Sequence, residues 1–301
     1  MSIKIELEKK ILNLITSFNQ NLFDEVIKEA SDLYKEIDNL SVIPNLIGAS
    51  YAGQNNHKNA IKFYKKALAI DHNNTEILNN ISKSYLALNL YDEAKDNLQK
   101  SIILDDKNYD TYFNLGIIYF NKGDYNESLK NYKRAIKLNN KIDKIYYNMA
   151  ITLSKNGNNK EAINFFLETL KLNPDHIKAL NNIGLLYIEN NNYELAFNYL
   201  KKAIDLNPIY SKAYNNLGAL YFQIKDYKQA LQCFDKAFKL DTNLLSAGIQ
   251  KYFLKRLSCD WSDEEDLKSL LIKTINSDEF VSPWFCLSME DNINNHYLRA
   301  K

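Results

Sequence analysis

The chain has 301 residues, of which 46% are hydrophobic and 12% aromatic, a composition typical of a folded globular protein. Because it contains only 8 glycines and 4 prolines, a loop-rich β protein is disfavoured and a nearly all-helical fold is expected. A formal net charge of +1 gives no overall electrostatic signal for nucleic acid or a membrane as partner.

Targeting and redox signals also favour a cytoplasmic protein. The first residues, Met1 to Glu6, carry charges and lack the apolar core of a signal peptide. No apolar run reaches the roughly 18 residues that a membrane-spanning helix needs. The three cysteines form no paired framework and no Cys-x-x-Cys motif, so reduced thiols are expected.

Residues 1–40 are predicted to form a degenerate helix pair that precedes a regular repeat. The small residue that later copies have at a fixed position is missing there. Apolar residues nevertheless keep helical spacing; they are Leu14, Phe18, Val26, Ala30 and Leu33. Terminal repeats are often atypical because one of their faces meets solvent.

Residues 41–244 hold six copies of a 34-residue unit. The copies begin at Ser41, Thr75, Tyr109, Asp143, Ile177 and Ser211. Position 8 is always small and position 24 mostly large, which indicates a first and a second helix in close contact. Position 15 is Asn55, Asn89, Gly123, Gly157, Asn191 and Lys225. Since Asn and Gly tolerate left-handed backbone, the first helix is expected to end there.

Residues 245–301 depart from the period and are predicted to be a short non-repeat helical C-terminal cap with a linker. The segment Leu245 to Leu257 is predicted to be a helix with Ile249 and Phe253 on one face. Ser262 and Glu265 have the spacing of a capping box, which predicts the start of a second helix.

The six copies resemble the tetratricopeptide repeat. That resemblance implies an all-α, right-handed superhelical solenoid of antiparallel helix pairs, whose concave surface is built by the first helices. It also implies that positions 2, 5, 6, 9, 12 and 13 border this surface, which binds protein or peptide clients.

Asparagine dominates positions 5 and 6, and these are the candidate peptide-binding residues. Position 6 is Asn80, Asn114, Asn148, Asn182 and Asn216; position 5 is Asn79, Phe113, Tyr147, Asn181 and Asn215 in the same copies. An amide offers donors and an acceptor that can pair with a peptide backbone whatever its side chains. The alternative is that these amides pack or cap the repeat locally, and the sequence leaves both interpretations open.

Position 2 changes charge along the chain, from Glu76 and Asp110 to Lys144, Lys178 and Lys212. Lysines on the concave surface would favour acidic segments of a client. The alternative is a set of solvated charges at the starts of helices.

Nothing in the sequence predicts catalysis on this chain, a cofactor or a metal. The four histidines are scattered, and His72 with Glu76 supplies at most two ligands. Neither a glycine-rich phosphate loop nor a nucleophile motif is present.

The tail resembles the junction before the catalytic region of O-linked N-acetylglucosamine transferase-like (SPINDLY-type) glycosyltransferases. The residues that carry this resemblance are Cys259-Asp260-Trp261-Ser262-Asp263, Ser282-Pro283-Trp284, Leu287, Asp291 and Leu298-Arg299-Ala300. It implies a substrate-binding arm whose partner is a glycosyltransferase catalytic domain. A generic assembly scaffold unrelated to sugar transfer is the alternative; the client, the sugar donor and the oligomeric state stay open.

Overall fold

The computed structural model describes residues 2–258, 260, 269, 270 and 273. Within them the chain forms helices joined by short turns, and no strand occurs in this part of the chain. The helices are α1 Ser2–Asn19, α2 Phe23–Glu36, α3 Val42–Gly53, α4 His57–Ile70, α5 Thr75–Ala87, α6 Tyr91–Leu104, α7 Tyr109–Asn121, α8 Tyr125–Leu138, α9 Asp143–Lys155, α10 Asn159–Leu172, α11 Ile177–Glu189, α12 Tyr193–Leu206, α13 Ser211–Gln223, α14 Tyr227–Leu240 and α15 Leu245–Leu257.

The turn inside each helix pair is built around one left-handed residue, as predicted for position 15. The φ angle is positive at Asn55, Asn89, Gly123, Gly157, Asn191 and Lys225. Asn21, which lies 34 residues before Asn55, has a φ of 61° and makes the same turn between α1 and α2. The N-terminal helix pair therefore keeps the register of the repeat although its core residues differ.

The residue after each such turn often caps the second helix. Asn56, Asp124, Asn192 and Asp226 each accept a hydrogen bond from the backbone N–H three residues later. These side chains satisfy donors that the first turn of a helix leaves unpaired. These polar residues between the two helices of a pair thus have a structural role, because they cap the second helix.

The chain divides into two compact units, Met1–Ala162 and Ile163–Lys301, called here the N-terminal and C-terminal units. In the N-terminal unit each helix from α1 to α8 packs on the next, and α8 packs on α9. In the C-terminal unit α11 to α15 pack in the same successive manner. This arrangement confirms the predicted all-α fold of consecutively packed helix pairs.

Within a pair, position 8 of the first helix meets position 24 of the second, as the sizes of these residues predict. A Cβ atom on Gly116 would lie 2.3 Å from the ring of Tyr132, and one on Gly184 would lie 2.6 Å from Leu200. Tyr132 and Leu200 are at most 1% exposed. Burial raises the pKa of Tyr132 well above its usual value, so the phenol stays neutral.

The N-terminal pair fills the same space in the opposite way. Leu14 lies at position 8 and is 4% exposed, while Ala30 lies at position 24 and is fully buried. Both belong to one core cluster with Val26 and Leu33. The large side chain comes from the first helix here and from the second helix in the regular copies.

At the C-terminal end, α15 confirms the helix predicted at Leu245 to Leu257. Gly248 lies against Phe238 of α14 and against Leu270, which is 3% exposed. The capping box at Ser262 and most of the tail motif, including Trp261 and Trp284, fall outside the described residues.

Candidate polypeptide-binding face

First helices of successive copies lie side by side. In the N-terminal unit α3 contacts α5, α5 contacts α7 and α7 contacts α9; in the C-terminal unit α11 contacts α13. Along these helices positions 3, 7, 8 and 10 are buried, whereas positions 2 and 9 are exposed or half-buried. We call the surface formed by positions 2, 6 and 9 the first-helix face.

The asparagine row lies on this face, but its members differ in exposure. Asn80, Asn148, Asn182 and Asn216 are half-buried. Asn114 is only 2% exposed and belongs to the interior. The row is therefore not a uniform line of accessible amides.

Three amides of the row bond to the preceding copy. The Nδ2 atoms of Asn80, Asn114 and Asn216 donate to the Oδ1 atoms of Asn45, Asn79 and Asn181, at 3.4, 3.4 and 2.9 Å. Each pair is 35 residues apart, so position 6 of one copy meets position 5 of the copy before it. These amides tie neighbouring copies together.

Asn79 is the most deeply engaged member of position 5. Its Nδ2 lies 2.8 Å from the carbonyl oxygen of Thr75, 3.1 Å from Ser101 Oγ and 2.9 Å from Thr111 Oγ1. Asn79 is 2% exposed, and Ser101 and Thr111 are fully buried. A buried amide needs such partners, because leaving it unpaired would cost free energy.

The other members of position 5 are also largely interior. Asn181 is 4% exposed and Phe113 is 7% exposed, whereas Tyr147 and Asn215 are half-buried. The Oδ1 atom of Asn215 is buried and has no hydrogen-bond partner within the described part of the chain. In α3, α5 and α11 the equivalent oxygen accepts from the next copy's asparagine.

Asn148 behaves differently from Asn80, Asn114 and Asn216. Position 5 of the preceding copy is Phe113, which offers no side-chain acceptor. The Asn148 amide instead donates to the carbonyl oxygen of Lys144 in its own helix, at 2.7 Å. Local sequence at position 5 thus decides whether the position-6 amide bridges two copies.

Several charges of position 2 are paired within the N-terminal unit. Lys83, at position 9 of α5, forms an ion pair with Asp110 of α7. The Lys144 ammonium lies 5.4 Å from the centre of the Phe113 ring. Glu76, Lys178 and Lys212 are exposed. In the C-terminal unit the first-helix face therefore presents lysine, asparagine and the exposed Leu185 together.

Sequence reasoning missed the two buried partners of Asn79, which are Ser101 and Thr111. A signal does exist for the bonds between copies, since asparagine at position 5, as at Asn45, is followed 35 residues later by asparagine at position 6. Because this pairing joins position 5 of one copy to position 6 of the next, it is not visible when position 6 is considered alone.

No group of three or more His, Cys, Asp or Glu side chains that could hold a metal ion occurs in the described part of the chain. None of the helices that the structure describes is long and apolar enough to cross a membrane.

The fold and this face define a helical-repeat protein with an open surface formed by successive first helices. Family models described as tetratricopeptide repeat match residues 45–74, 75–108, 97–130, 141–209 and 211–244, and one described as TPR repeat matches residues 116–157. Together they span more than half of the 301 residues. The chain therefore belongs to the tetratricopeptide repeat family.

Solved structures of similar fold include the APC/C hetero-tetramer Cut9–Hcn1, with 16% identity, a TM-score of 0.68 and coverage of 81% of this chain and 48% of that one. Pseudomonas aeruginosa pilF has 16% identity and a TM-score of 0.60, over 68% of this chain and 94% of that one. MamA has 30% identity and a TM-score of 0.49, over 54% of this chain and 95% of that one. No curated protein matches the chain.

Proposed function

We propose that the chain is a protein-interaction module that holds an extended client polypeptide on its first-helix face. The observation that carries the proposal is the composition of this face in the C-terminal unit. There Lys178 and Lys212 are exposed next to half-buried Asn182 and Asn216 and the exposed Leu185. Such a surface combines backbone-bonding amides, aliphatic contact and positive charge.

The burial of most position-5 side chains and of Asn114 at position 6 reduces the set of residues proposed to contact a client. Asn79, Asn114, Asn181 and Phe113 are at most 7% exposed, and the three amides bond within the chain. These residues lie beneath the first-helix face and stabilise it. Contact with the client is assigned to Asn148 and Lys144 in the N-terminal unit and to Asn182, Asn216, Lys178 and Lys212 in the C-terminal unit.

Tyr147 and Asn215 are proposed to have an intermediate role. Both are half-buried, so each presents part of its side chain at the face. The Oδ1 atom of Asn215 is itself buried and has no hydrogen-bond partner among the described residues, so the proposed contact is with the exposed remainder of this side chain.

The test begins with selection of binders from a displayed library of random unstructured peptides, followed by affinity measurement by calorimetry. The triple variant Lys178→Ala, Asn182→Ala, Lys212→Ala should bind the selected peptides roughly ten-fold or more weakly, since interface energy concentrates in a few side chains. Circular dichroism should remain that of the parent protein, because Lys178 and Lys212 are exposed and Asn182 is only half-buried.

A matched control removes charge from the second helices of the same unit. Lys171→Ala with Lys239→Ala breaks only exposed ion pairs, with Glu168 and Asp235, and should leave peptide affinity unchanged. If the control variant lost peptide affinity and the triple variant kept it, the client would have to bind another surface. A generic scaffold would then be favoured.

A narrower form of this proposal makes the chain the substrate-binding arm of a glycosyltransferase. It rests on the sequence of residues 259–300 alone, since the matched family models describe only tetratricopeptide repeats. The repeat fold is typical of binding proteins, and catalysis would come from a separate domain. This form would be supported if the chain co-purified with a transferase domain and the double variant Trp261→Ala, Trp284→Ala did not. Normal co-purification of the double variant would contradict a role of the tail in binding that domain.

A further inference from the structure

The C-terminal turn of α6 exposes an isoleucine to solvent. Ile103 is 84% exposed, the highest value among the large hydrophobic side chains of the described residues. It lies at position 29, where the other copies have a small or charged residue: Ala69, Lys137, Lys171, Asp205 and Lys239. Ile103 therefore departs from the repeat pattern, and the packing of its own helix pair does not require this side chain.

A cavity lies directly beside this side chain. Its volume is about 300 Å³, and it is formed by the ends of α4 and α6 and the start of α5. Its lining is mostly apolar and consists of Leu68, His72, Asn73, Leu78, Lys100, Ile103 and Leu104. An exposed aliphatic side chain and an apolar cavity of suitable size for such a side chain thus share one surface, which we call the α6 surface.

The charges of the α6 surface are arranged around Ile103 with opposite sign. Lys100 lies three residues before Ile103 and is exposed; Asp106 lies three residues after it and is exposed. Asp106 lies in the turn after α6 and forms an ion pair with Arg134, at 3.9 Å. A two-fold axis through Ile103 would bring Lys100 of one copy toward Asp106 of the other if the two residues lie on opposite sides of that axis.

We propose that the α6 surface binds a second copy of this chain, in a two-fold dimer in which Ile103 of each copy enters the cavity of the other. A two-fold interface requires a self-complementary surface, and this one carries both the side chain and its cavity. With a net charge of +1, two copies repel each other little. Apart from the buried Leu78 of α5, the α6 surface consists of residues from second helices and inter-copy turns. It contains no residue of positions 2, 6 or 9, so dimerisation leaves the first-helix face free for a client.

The dimer is expected to be weak. One exposed side chain and one cavity per copy form a contact at the low end of specific interfaces, which corresponds to dissociation constants on the order of micromolar or weaker. Association should therefore depend on concentration, and the monomer and dimer should exchange quickly.

Sedimentation velocity of the full 301-residue chain over a concentration series tests the proposal. The parent protein should shift toward the mass of two copies as concentration rises. Ile103→Lys, which introduces the residue of positions 137, 171 and 239, should weaken association roughly ten-fold or more, because the buried anchor is lost and two charges meet at the axis. A parent protein that stays monomeric at millimolar concentration would overturn the proposal.

Two further variants separate this interface from general stickiness. Ile209→Lys changes another exposed isoleucine, 73% exposed and in the C-terminal unit, and should leave association unchanged. Lys100→Asp and Asp106→Lys should each weaken association, and the double variant should restore it. Failure of the double variant to restore association, or equal effects of Ile209→Lys and Ile103→Lys, would contradict the two-fold arrangement.

Discussion

The α1–α2 pair and the α7–α8 pair occupy equivalent places in the repeat but build their interiors from exchanged side chains. Gly116 and Tyr132 meet in the inner pair, whereas Leu14 and Ala30 take these places in the outer pair. The small residue that looks obligatory in the regular copies is thus one of two solutions. The packing requires a constant volume between two helices, and either helix can supply it.

Outer and inner helices also differ at a second buried place, formed by α1, α2 and α3 in the outer region and by α5, α6 and α7 in the inner region. In the inner region Asn79, Ser101 and Thr111 form a hydrogen-bonded cluster. The residues 68 positions earlier are Ile11, Leu33 and Ile43, which pack together in the outer core. A polar cluster and an apolar cluster fill equivalent positions, so the repeat accepts either when all members agree.

The largest expected effect comes from introducing only one residue of the α1–α2 arrangement, the leucine at position 8, into the α7–α8 pair. Gly116→Leu would drive a side chain into Tyr132 and should lower the free energy of unfolding by roughly 3 kcal/mol or more. Adding Tyr132→Ala recreates the Leu14 and Ala30 arrangement and should restore over half of the loss. Urea denaturation followed by circular dichroism measures both; no recovery in the double variant would contradict volume exchange.

The reverse change empties the outer pair. Leu14→Ala faces Ala30, so no large side chain remains where positions 8 and 24 meet, and we expect a loss of about 2–4 kcal/mol. Leu12→Ala, on the same helix but 62% exposed, should change stability by less than ~0.5 kcal/mol. Thermal melts of the two variants compare them; similar shifts would mean that α1 does not contribute a packed core.

The polar cluster gives the next effect. Asn79→Ala removes the shared partner of Ser101 and Thr111 and should cost about 1–3 kcal/mol, because their buried hydroxyl oxygens lose the amide that donates to them. The triple change Asn79→Ile, Ser101→Leu, Thr111→Ile copies the outer cluster and should cost less than Asn79→Ala, because only the Asn114 amide is then left without its acceptor. A triple variant less stable than Asn79→Ala, measured in urea, would show that the two clusters are not interchangeable.

The smallest effect concerns the turns, which both regions share. Gly123 and Asn21 both have positive φ, so Gly123→Asn should change stability by less than ~0.5 kcal/mol. Gly123→Val should cost roughly 1–2 kcal/mol, since a branched residue is strained in that conformation. Differential scanning calorimetry distinguishes the two; equal costs would mean that strain at this turn is relieved elsewhere.

The regular positions of the repeat could be predicted from the sequence because each has a direct physical reason. A small residue at position 8, a large one at position 24 and Asn or Gly at position 15 follow from helix contact and backbone conformation. Lys225 also has the left-handed backbone expected at position 15, with a φ of 66°, although lysine by itself does not indicate such a turn.

The candidate site could be predicted only in part. Periodicity locates Asn79 and Asn114 correctly on first helices, but it cannot tell an amide that bonds within the chain from one available to a ligand. That distinction depends on partners from other positions, such as Ser101 and Thr111, and on the aromatic ring of Phe113 next to Asn148. Equivalent residues thus acquire different surroundings from neighbours that vary between copies.

The change of partner at Asn148 has a consequence for how the N-terminal unit opens. Amides link α3 to α5 and α5 to α7, whereas Asn148 of α9 bonds to its own backbone. In a one-dimensional array the cost of separating two neighbours is set by the contacts between those two alone. Native-state hydrogen exchange should therefore find α9 detaching from α7 at lower free energy than α7 from α5, which makes the boundary before Asp143 the natural point of sequential unfolding; equal protection of α7 and α9 would contradict this order.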